Sequence, residues 1–317
     1  MLDGNSTSQQ VSAFSALVPE FLLYAEVELR FAPQSLLKYR DCLSQIQRIL
    51  GDREISGYSK QDVLSLKACM HRKGHSVSRQ VSILASFKRL LLYCREERNL
   101  LVLDPELIVI PKRPRREVLY LSSEEVERFV RAIRLERLDG QLCLAAFRFR
   151  TLVEALLGSA LRVGELLSLD RSQIDFITHE AKIVGKGSKE RVAFFTDRAI
   201  FWMKEYLRMR KDTHPALFVC LGGRSRLKRT DLWRPFGRYR KLAGIMKPVT
   251  PHLLRHTAAT QLLFNGCPIG HIKEILGHER LETTCRYYLG LDHRAAKQAH
   301  HRFLLYPRTE GGQVRAE

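Results

Sequence analysis

Two prolines within six residues divide this sequence, because the segment Pro111-Lys112-Arg113-Pro114-Arg115-Arg116 excludes one continuous helix across it. Four of these six residues are cations. The net charge of +19 is unevenly placed around the segment: residues 1–110 hold 14 Lys and Arg against 12 Asp and Glu, whereas residues 111–317 hold 39 against 22. We therefore predict two modules joined by a basic linker at 111–116, with most of the cationic excess in the second module.

An excess of this size in one module is typical of proteins that bind a polyanion, and nucleic acid is the commonest polyanion. Solubility alone explains it less well, because a one-sided charge repels itself. A basic linker would let two modules close around a duplex from opposite sides. A nuclear localisation signal has a similar composition and is the weaker alternative.

Other classes of protein are disfavoured by what the sequence lacks. No run of about 18 uncharged apolar residues exists, which argues against a membrane span. The polar start, residues 1–10, does not resemble a secretion signal, so we expect a cytoplasmic protein. The seven cysteines are dispersed without a Cys-x-x-Cys pair, so we expect reduced thiols and no zinc site. Neither a Gly-rich phosphate loop nor an acidic metal cluster is present, and no cofactor is predicted.

The first module, residues 1–110, is predicted to be a small helical domain. Apolar residues recur at helical spacing over 17–29, 35–50 and 78–98, and Ser59 begins a further helix. The polar side of the longest helix carries cations that could contact DNA phosphates, although a solvated helix face would look the same. These cations include Arg79, Lys88 and Arg89.

The second module, residues 117–308, is predicted to be mainly helical with one small sheet, followed by a loose end at 309–317. Ser122 and Glu125 form a capping box at its start. Between 173 and 195 the pattern becomes extended, which predicts three short antiparallel strands at 174–177, 181–184 and 191–195, with a glycine-containing turn at 185–190 between the last two. Asp197 is predicted to cap the next helix. Residues 222–241 carry eight cations with interleaved aromatic residues, which favours a helix with one buried side and a side facing a nucleic-acid backbone. The cations proposed for that contact are Arg224, Arg226, Lys228 and Arg229.

Two helix starts near the end of the chain carry residues suited to phosphate chemistry. Thr250 is a predicted N-cap with Pro251 at the first helical position, which places His252 and Arg255 on one face. Cys267-Pro268 begins another helix, with proline suited to its first position, and Gly277 is its expected left-handed stop. Thr283 or Thr284 then caps a helix that carries Tyr287. Because a tyrosine hydroxyl has a pKa of roughly 10, it needs cationic partners before it attacks a phosphodiester.

Those partners stand in a definite order, and the sequence around them resembles the tyrosine recombinases, the family of phage integrases and Xer-type recombinases. The matching pieces are Leu161-Arg162-Val163-Gly164-Glu165-Leu166, Gly185-Lys186-Gly187-Ser188-Lys189-Glu190-Arg191, His252-Leu253-Leu254-Arg255-His256, and Leu276-Gly277-His278 through Tyr287. Each motif is weak alone, whereas four in order over residues 161–287 are specific. The catalytic set that the resemblance implies is Arg162, Lys186, His252, Arg255, His278 and Tyr287.

Three departures or ambiguities accompany the resemblance. Ala160 stands where similar sequences usually have glycine, which could alter the local turn while leaving the Arg162 guanidinium in place. The tyrosine is doubled, and the nine-residue step from His278 favours Tyr287 over Tyr288. Lys186, between two glycines, is favoured over Lys189 as the catalytic lysine.

The resemblance implies a site-specific DNA recombinase that cleaves and rejoins strands through a covalent 3′-phosphotyrosine, in a tetramer on double-stranded DNA with specific sites. The first module and the basic linker, with Lys112, Arg113, Arg115 and Arg116, would clamp that DNA. A type IB-like topoisomerase and a catalytically idle DNA-binding protein are the alternative functions. The motifs specify neither an accessory protein nor a second recombinase in the tetramer.

Overall fold

The computed structural model describes residues 13–112, 119–136, 139–184 and 190–278. The chain divides into two compact units, residues 1–116 and 117–317. Within the described ranges, none of the helices combines the length and the apolar character needed to cross a bilayer.

The first unit is a helical bundle around one apolar core. Its core contains Phe14, Phe21, Leu43, Leu66 and Phe87, all fully or almost fully buried. Local signals set the helix starts: Ser59 and Asp62 form a reciprocal capping box, and Ser76 accepts a hydrogen bond from the backbone N–H of Arg79. The described helices are α1 (Phe14–Val27), α2 (Pro33–Leu50), α3 (Lys60–Arg72) and α4 (Val77–Glu96).

The second unit combines helices with one small antiparallel sheet, as the sequence predicts. Helix α6 is the central element, because its residues are buried on nearly all sides and it packs against both α8 and α10. The described helices are α5 (Ser123–Ala132), α6 (Leu144–Ser159), α7 (Val163–Ser168), α8 (Asp197–Met209), α9 (Trp233–Leu242), α10 (Pro251–Phe264) and α11 (Ile269–Leu276).

The sheet has the order β1 (Ile174–Asp175), β2 (Glu180–Val184) and β3 (Glu190–Phe194), with antiparallel pairing throughout. Ala181 pairs with Ala193, and both are buried, because alternate side chains of a strand share one face. Residue 191 lies on this same inward side of β3. The predicted strands are thus confirmed, with ends displaced by one or two residues.

Three local predictions were wrong. The N-cap of α8 is Thr196, whose hydroxyl accepts from the backbone N–H of Ala199, so Asp197 is the first helical residue. Pro268 is itself the N-cap of α11, because its ψ of 137° is extended. Helix α9 begins only at Trp233, after a 3₁₀ turn, since Arg226 upstream is held in a bridge with Val219.

Ala160 ends α6 in the left-handed conformation, with φ 52° and ψ 21°. This conformation costs an L-residue about 1–2 kcal/mol, which explains why glycine would suit the position. The Ala160 methyl is nevertheless buried with Ala258, Ala259, Ile272 and Leu276. The turn that the sequence departure concerns is therefore strained but well packed.

We expect Ala160→Gly to change stability little. Relief of the left-handed strain is opposed by the loss of a buried methyl, which contributes about 0.8 kcal/mol. Ala160→Val is expected to lower the melting temperature clearly, because a β-branched residue is disfavoured at positive φ. Thermal denaturation of the two variants checks this, and equal melting temperatures would contradict it.

Candidate active site

The second unit contains a cleft of about 640 Å³ where three of the predicted catalytic residues meet. Arg162, His252 and Arg255 all line it. Apolar and aromatic residues, namely Val184, Leu232, Trp233 and Phe236, also line the cleft, together with the cation Arg229. Motifs separated by about 90 residues of sequence are thus brought to one place.

Arg162 is the N-cap residue of α7, and its side chain is 43% exposed. Glu165 holds it twice: one carboxylate oxygen accepts from the Arg162 backbone N–H at 2.9 Å, and the other accepts from Nη1 at 2.8 Å. Burial raises the pKa of Glu165, but these hydrogen bonds and the charge of Arg191 more than offset that effect, so its pKa lies below the usual range. Glu165 is therefore an anion that orients Arg162.

Arg255 is only 4% exposed and is anchored by backbone carbonyls on two different segments. Nη1 donates to the carbonyl of Ala160 at 2.7 Å, and Nη2 donates to that of Leu276 at 2.6 Å. The same Nη2 lies 3.2 Å from Nε2 of His278. Arg255 thus fixes the end of α6, the end of α11 and the histidine after it in one arrangement.

The histidines of the site are half-buried among cations. The rings of His252 and His256 meet edge to face with centroids 4.2 Å apart. Burial, reinforced by the charge of Arg255, lowers the pKa of His252. Burial followed by the charge of His252 lowers the pKa of His256 to about 4, and burial followed by Arg255 lowers that of His278 to about 4. At neutral pH these rings are neutral, so each has one N–H donor and one acceptor nitrogen.

We expect the stability of the fold to decrease in acid because of these histidines. The unfolded chain binds protons on them near pH 6.5, while His256 and His278 bind them only near pH 4 in the folded state. The stabilisation of the folded state by these neutral rings is therefore complete above about pH 6.5 and is lost as the pH falls towards about 4. The difference in melting temperature between about pH 7.5 and about pH 5 should be smaller for His256→Asn than for the parent chain. If the melting temperature changed by the same amount between the two pH values in both proteins, this explanation would be contradicted.

The remaining predicted catalytic residues, Lys186 and Tyr287, lie outside the described residues, as do their competitors Lys189 and Tyr288. The predicted cations Arg113, Arg115 and Arg116 of the linker also lie outside them. The assignment of these residues stays a prediction from the sequence.

The other predicted DNA-binding cations fall into two groups. Arg79 contacts Asp41 at 2.7 Å, Lys88 contacts Glu106 at 2.9 Å, and Arg226 contacts Asp170 at 2.6 Å, so each is paired with a carboxylate. Arg226 also donates to the carbonyls of Leu167 and Leu169, which gives it a structural role. The exposed cations are Arg89, Lys112, Arg224, Lys228 and Arg229.

Sequence reasoning missed two features of this site. Arg191 lies beside Glu165 and the end of α11; it closes the glycine- and lysine-containing motif at 185–191, but no role was assigned to it from the sequence. Trp233 and Arg229 line the cleft, whereas the sequence placed them only in the basic helical segment 222–241 and did not predict that they face the catalytic residues. Placement of these residues depends on tertiary packing that periodicity does not encode.

Comparison with known proteins gives a consistent result. Residues 120–294 match the model of the phage integrase family. The tyrosine recombinase XerD of Oceanobacillus iheyensis is 30% identical over 285 residues, which cover 85% of this chain and 92% of that protein. The Tn1549 transposon integrase in complex with transposon right end DNA has a TM-score of 0.74 at 17% identity, over 91% of this chain and 99% of the other. A lambda integrase tetramer bound to a Holliday junction has a TM-score of 0.68 at 18% identity, over 87% and 80%.

The fold, the clustered arginines and histidines, and the relatives together define the class of tyrosine-type site-specific DNA recombinases. This chain belongs to the phage integrase family.

Proposed function

We propose that the cleft of the second unit cleaves and rejoins a DNA strand through Tyr287, with Arg162 and Arg255 on the scissile phosphate. The observation that carries the proposal is the convergence of both arginines and His252 on one cleft. A guanidinium presents N–H groups in a planar fork that suits phosphate oxygens. Both arginines are oriented by the protein, so little reorganisation is needed when charge develops on the phosphate.

The proposed reaction has two displacements at phosphorus. The phenolic oxygen of Tyr287 bonds to phosphorus and loses its proton, while the bond to the 5′-oxygen of the next nucleotide breaks. Lys186 is the proposed general acid that protonates this 5′-oxygen. His252 and His278 are neutral, which suits them to donate a hydrogen bond to the phosphate or to accept the tyrosine proton. Attack by a 5′-hydroxyl from a second DNA end reverses the step and releases Tyr287.

We further propose that the helical module at 1–110 and the linker at 111–116 clamp double-stranded DNA against the catalytic module at 117–308. The exposed cations Arg89, Lys112, Arg224 and Arg229 support this, because phosphate neutralisation supplies much of DNA affinity. Assembly into a tetramer on paired recombination sites is proposed by analogy with lambda integrase, whose tetramer binds a Holliday junction.

The test begins by isolating a binding site from a randomised duplex pool by repeated selection. Two copies of that site are then placed on one supercoiled plasmid. We expect the chain to delete or invert the intervening DNA, and to leave a plasmid with one site unrecombined. Relaxation of plasmids that lack the site would instead indicate a topoisomerase, and binding without any strand exchange would indicate an idle DNA-binding protein.

A further inference from the structure

Three successive carbonyl groups at the end of α11 each accept a hydrogen bond from a different arginine. Arg191 Nη1 donates to Ile275 at 2.9 Å, Arg255 Nη2 to Leu276 at 2.6 Å, and Arg162 Nη2 to Gly277 at 3.3 Å. The last carbonyls of a helix have no partners within the helix and carry its negative dipole end, so cations stabilise them. Two of the three arginines are proposed phosphate ligands. Arg191 does not line the cleft.

The contacts of Arg191 connect the end of the β2–β3 hairpin nearest its turn to the end of α11. Its side chain is 18% exposed, and Nη2 contacts Glu165 Oε2 at 3.2 Å. The guanidinium also lies directly over Gly277, where an added Cβ would be 2.5 Å from Nε. Gly277 has φ 59°, so both its conformation and this close approach favour glycine.

Arg191 also completes the environment of Glu165. The Oε1 atom of Glu165 faces Arg162 Nη1 at 2.8 Å, while Oε2 receives Arg191 Nη2 and the Arg162 backbone N–H. Without Arg191, the carboxylate would be held from one side only and could rotate towards Arg162. The turn that supplies the carbonyl of Gly277 and leads into His278 would lose its link to β3.

We infer that Arg191 is a positioning residue for strand cleavage, which acts through Glu165 on Arg162 and through the end of α11 on His278. The inference rests on the function proposed above. A guanidinium suits this task because its rigid fork reaches the Glu165 carboxylate and the Ile275 carbonyl together, whereas a lysine ammonium is a single point charge.

The test is a double-mutant cycle on the rate of covalent adduct formation under single-turnover conditions with a nicked duplex. Arg191→Ala is expected to slow adduct formation by about 10- to 100-fold in the parent chain. In an Arg162→Ala background the same change should cost clearly less, because the route through Glu165 to Arg162 is then absent and only the route through the end of α11 to His278 remains. Equal factors in the two backgrounds, or an unchanged rate in the parent chain, would overturn the inference.

A second measurement replaces the scissile phosphate by a neutral methylphosphonate. This linkage develops less charge and depends less on an oriented Arg162. We therefore expect the Arg191→Ala defect to shrink on it, as the Arg162→Ala defect should. A defect of the same size on both linkages would contradict a role through Arg162.

Arg150 provides the matched control. Its side chain is 12% exposed, and it contacts a buried carboxylate, Glu154, at 2.8 Å and the carbonyl of Val130 at 2.9 Å. It does not line the cleft. Arg150→Ala should lower the melting temperature as Arg191→Ala does, but the adduct-forming rate of the folded protein should stay within about 3-fold of the parent.

Arg191→Lys keeps the test usable where the alanine variant does not fold. It retains a charge beside Glu165 and should give a rate between those of the parent and the alanine variant; a rate equal to the parent's would contradict the need for a fork. The parent chain and Tyr287→Phe are run beside it. Absence of an adduct from the parent would refute the proposed function and not the role of Arg191 alone, whereas its presence in Tyr287→Phe would refute the choice of Tyr287 as nucleophile.

Discussion

Tyr287→Phe is expected to abolish the covalent protein–DNA adduct completely while DNA binding is retained. The substitution removes only the oxygen that bonds to phosphorus, so no phosphotyrosine can form at this position. A nicked duplex that carries the selected site traps the adduct, because the short 5′-hydroxyl strand diffuses away before it can reverse the reaction. Denaturing gel electrophoresis with labelled DNA measures the trapped product, and gel retardation measures binding.

The doubled tyrosine provides the control for this experiment. Tyr288→Phe removes the same atom one position later and should form the adduct at a rate within about 3-fold of the parent chain. Loss of the adduct in Tyr288→Phe, with retention in Tyr287→Phe, would reverse the choice between the two residues. An adduct in both single variants would show that either residue serves as nucleophile.

The second large effect is expected from Arg255→Ala, which should reduce both the cleavage rate and the stability. Removal of one donor that stabilises developing charge typically costs about 10²- to 10³-fold in rate. Arg255 is also buried, and its loss leaves the carbonyls of Ala160 and Leu276 without that donor. Each buried polar group left unsatisfied costs about 1–3 kcal/mol, so the melting temperature should fall by several degrees. Single-turnover cleavage and thermal denaturation measure the two effects separately.

Arg162→Ala separates these two contributions. The Arg162 side chain is 43% exposed, so its removal should slow cleavage by a similar factor with a much smaller change in melting temperature. Arg255→Lys should recover little activity, because an ammonium does not reach two carbonyls and a phosphate together. A stable and active Arg255→Ala variant would contradict both roles proposed for this residue.

The sequence predicted the fold class well because the signals involved are local. Ser59, Ser122 and Thr250 act as N-caps as expected, and Gly277 ends α11 in the left-handed conformation. The small sheet was also predicted, since alternation of side chains is visible over five residues. Errors arose where two signals compete within a turn, as at Thr196 and Asp197, or where tertiary bonds such as those of Arg226 override helix propensity.

The site was predictable in part. Arg162, His252 and Arg255 were chosen from motifs and meet in one cleft. Arg255 donates to the carbonyl of Ala160, 95 residues earlier, and to that of Leu276 at the end of another helix. Arg191 donates to the carbonyl of Ile275, 84 residues later in the chain. Such contacts depend on how the helices pack, and spacing along the chain carries no information about them. The lowered pKa values of the histidines follow from the same packing.

The arginines around the end of α11 also bear on when the enzyme becomes competent. Arg162 donates a hydrogen bond to the carbonyl of Gly277, 115 residues later in the chain, and Arg191 donates one to the carbonyl of Ile275, 84 residues later. Contacts between such distant segments form late, since closing long loops has a high entropic cost. A ribosome-bound or partly unfolded chain therefore carries basic segments that attract DNA while the proposed phosphate ligands, Arg162 and Arg255, are still apart. Completion of the tertiary structure would then be required before a DNA strand can be cleaved.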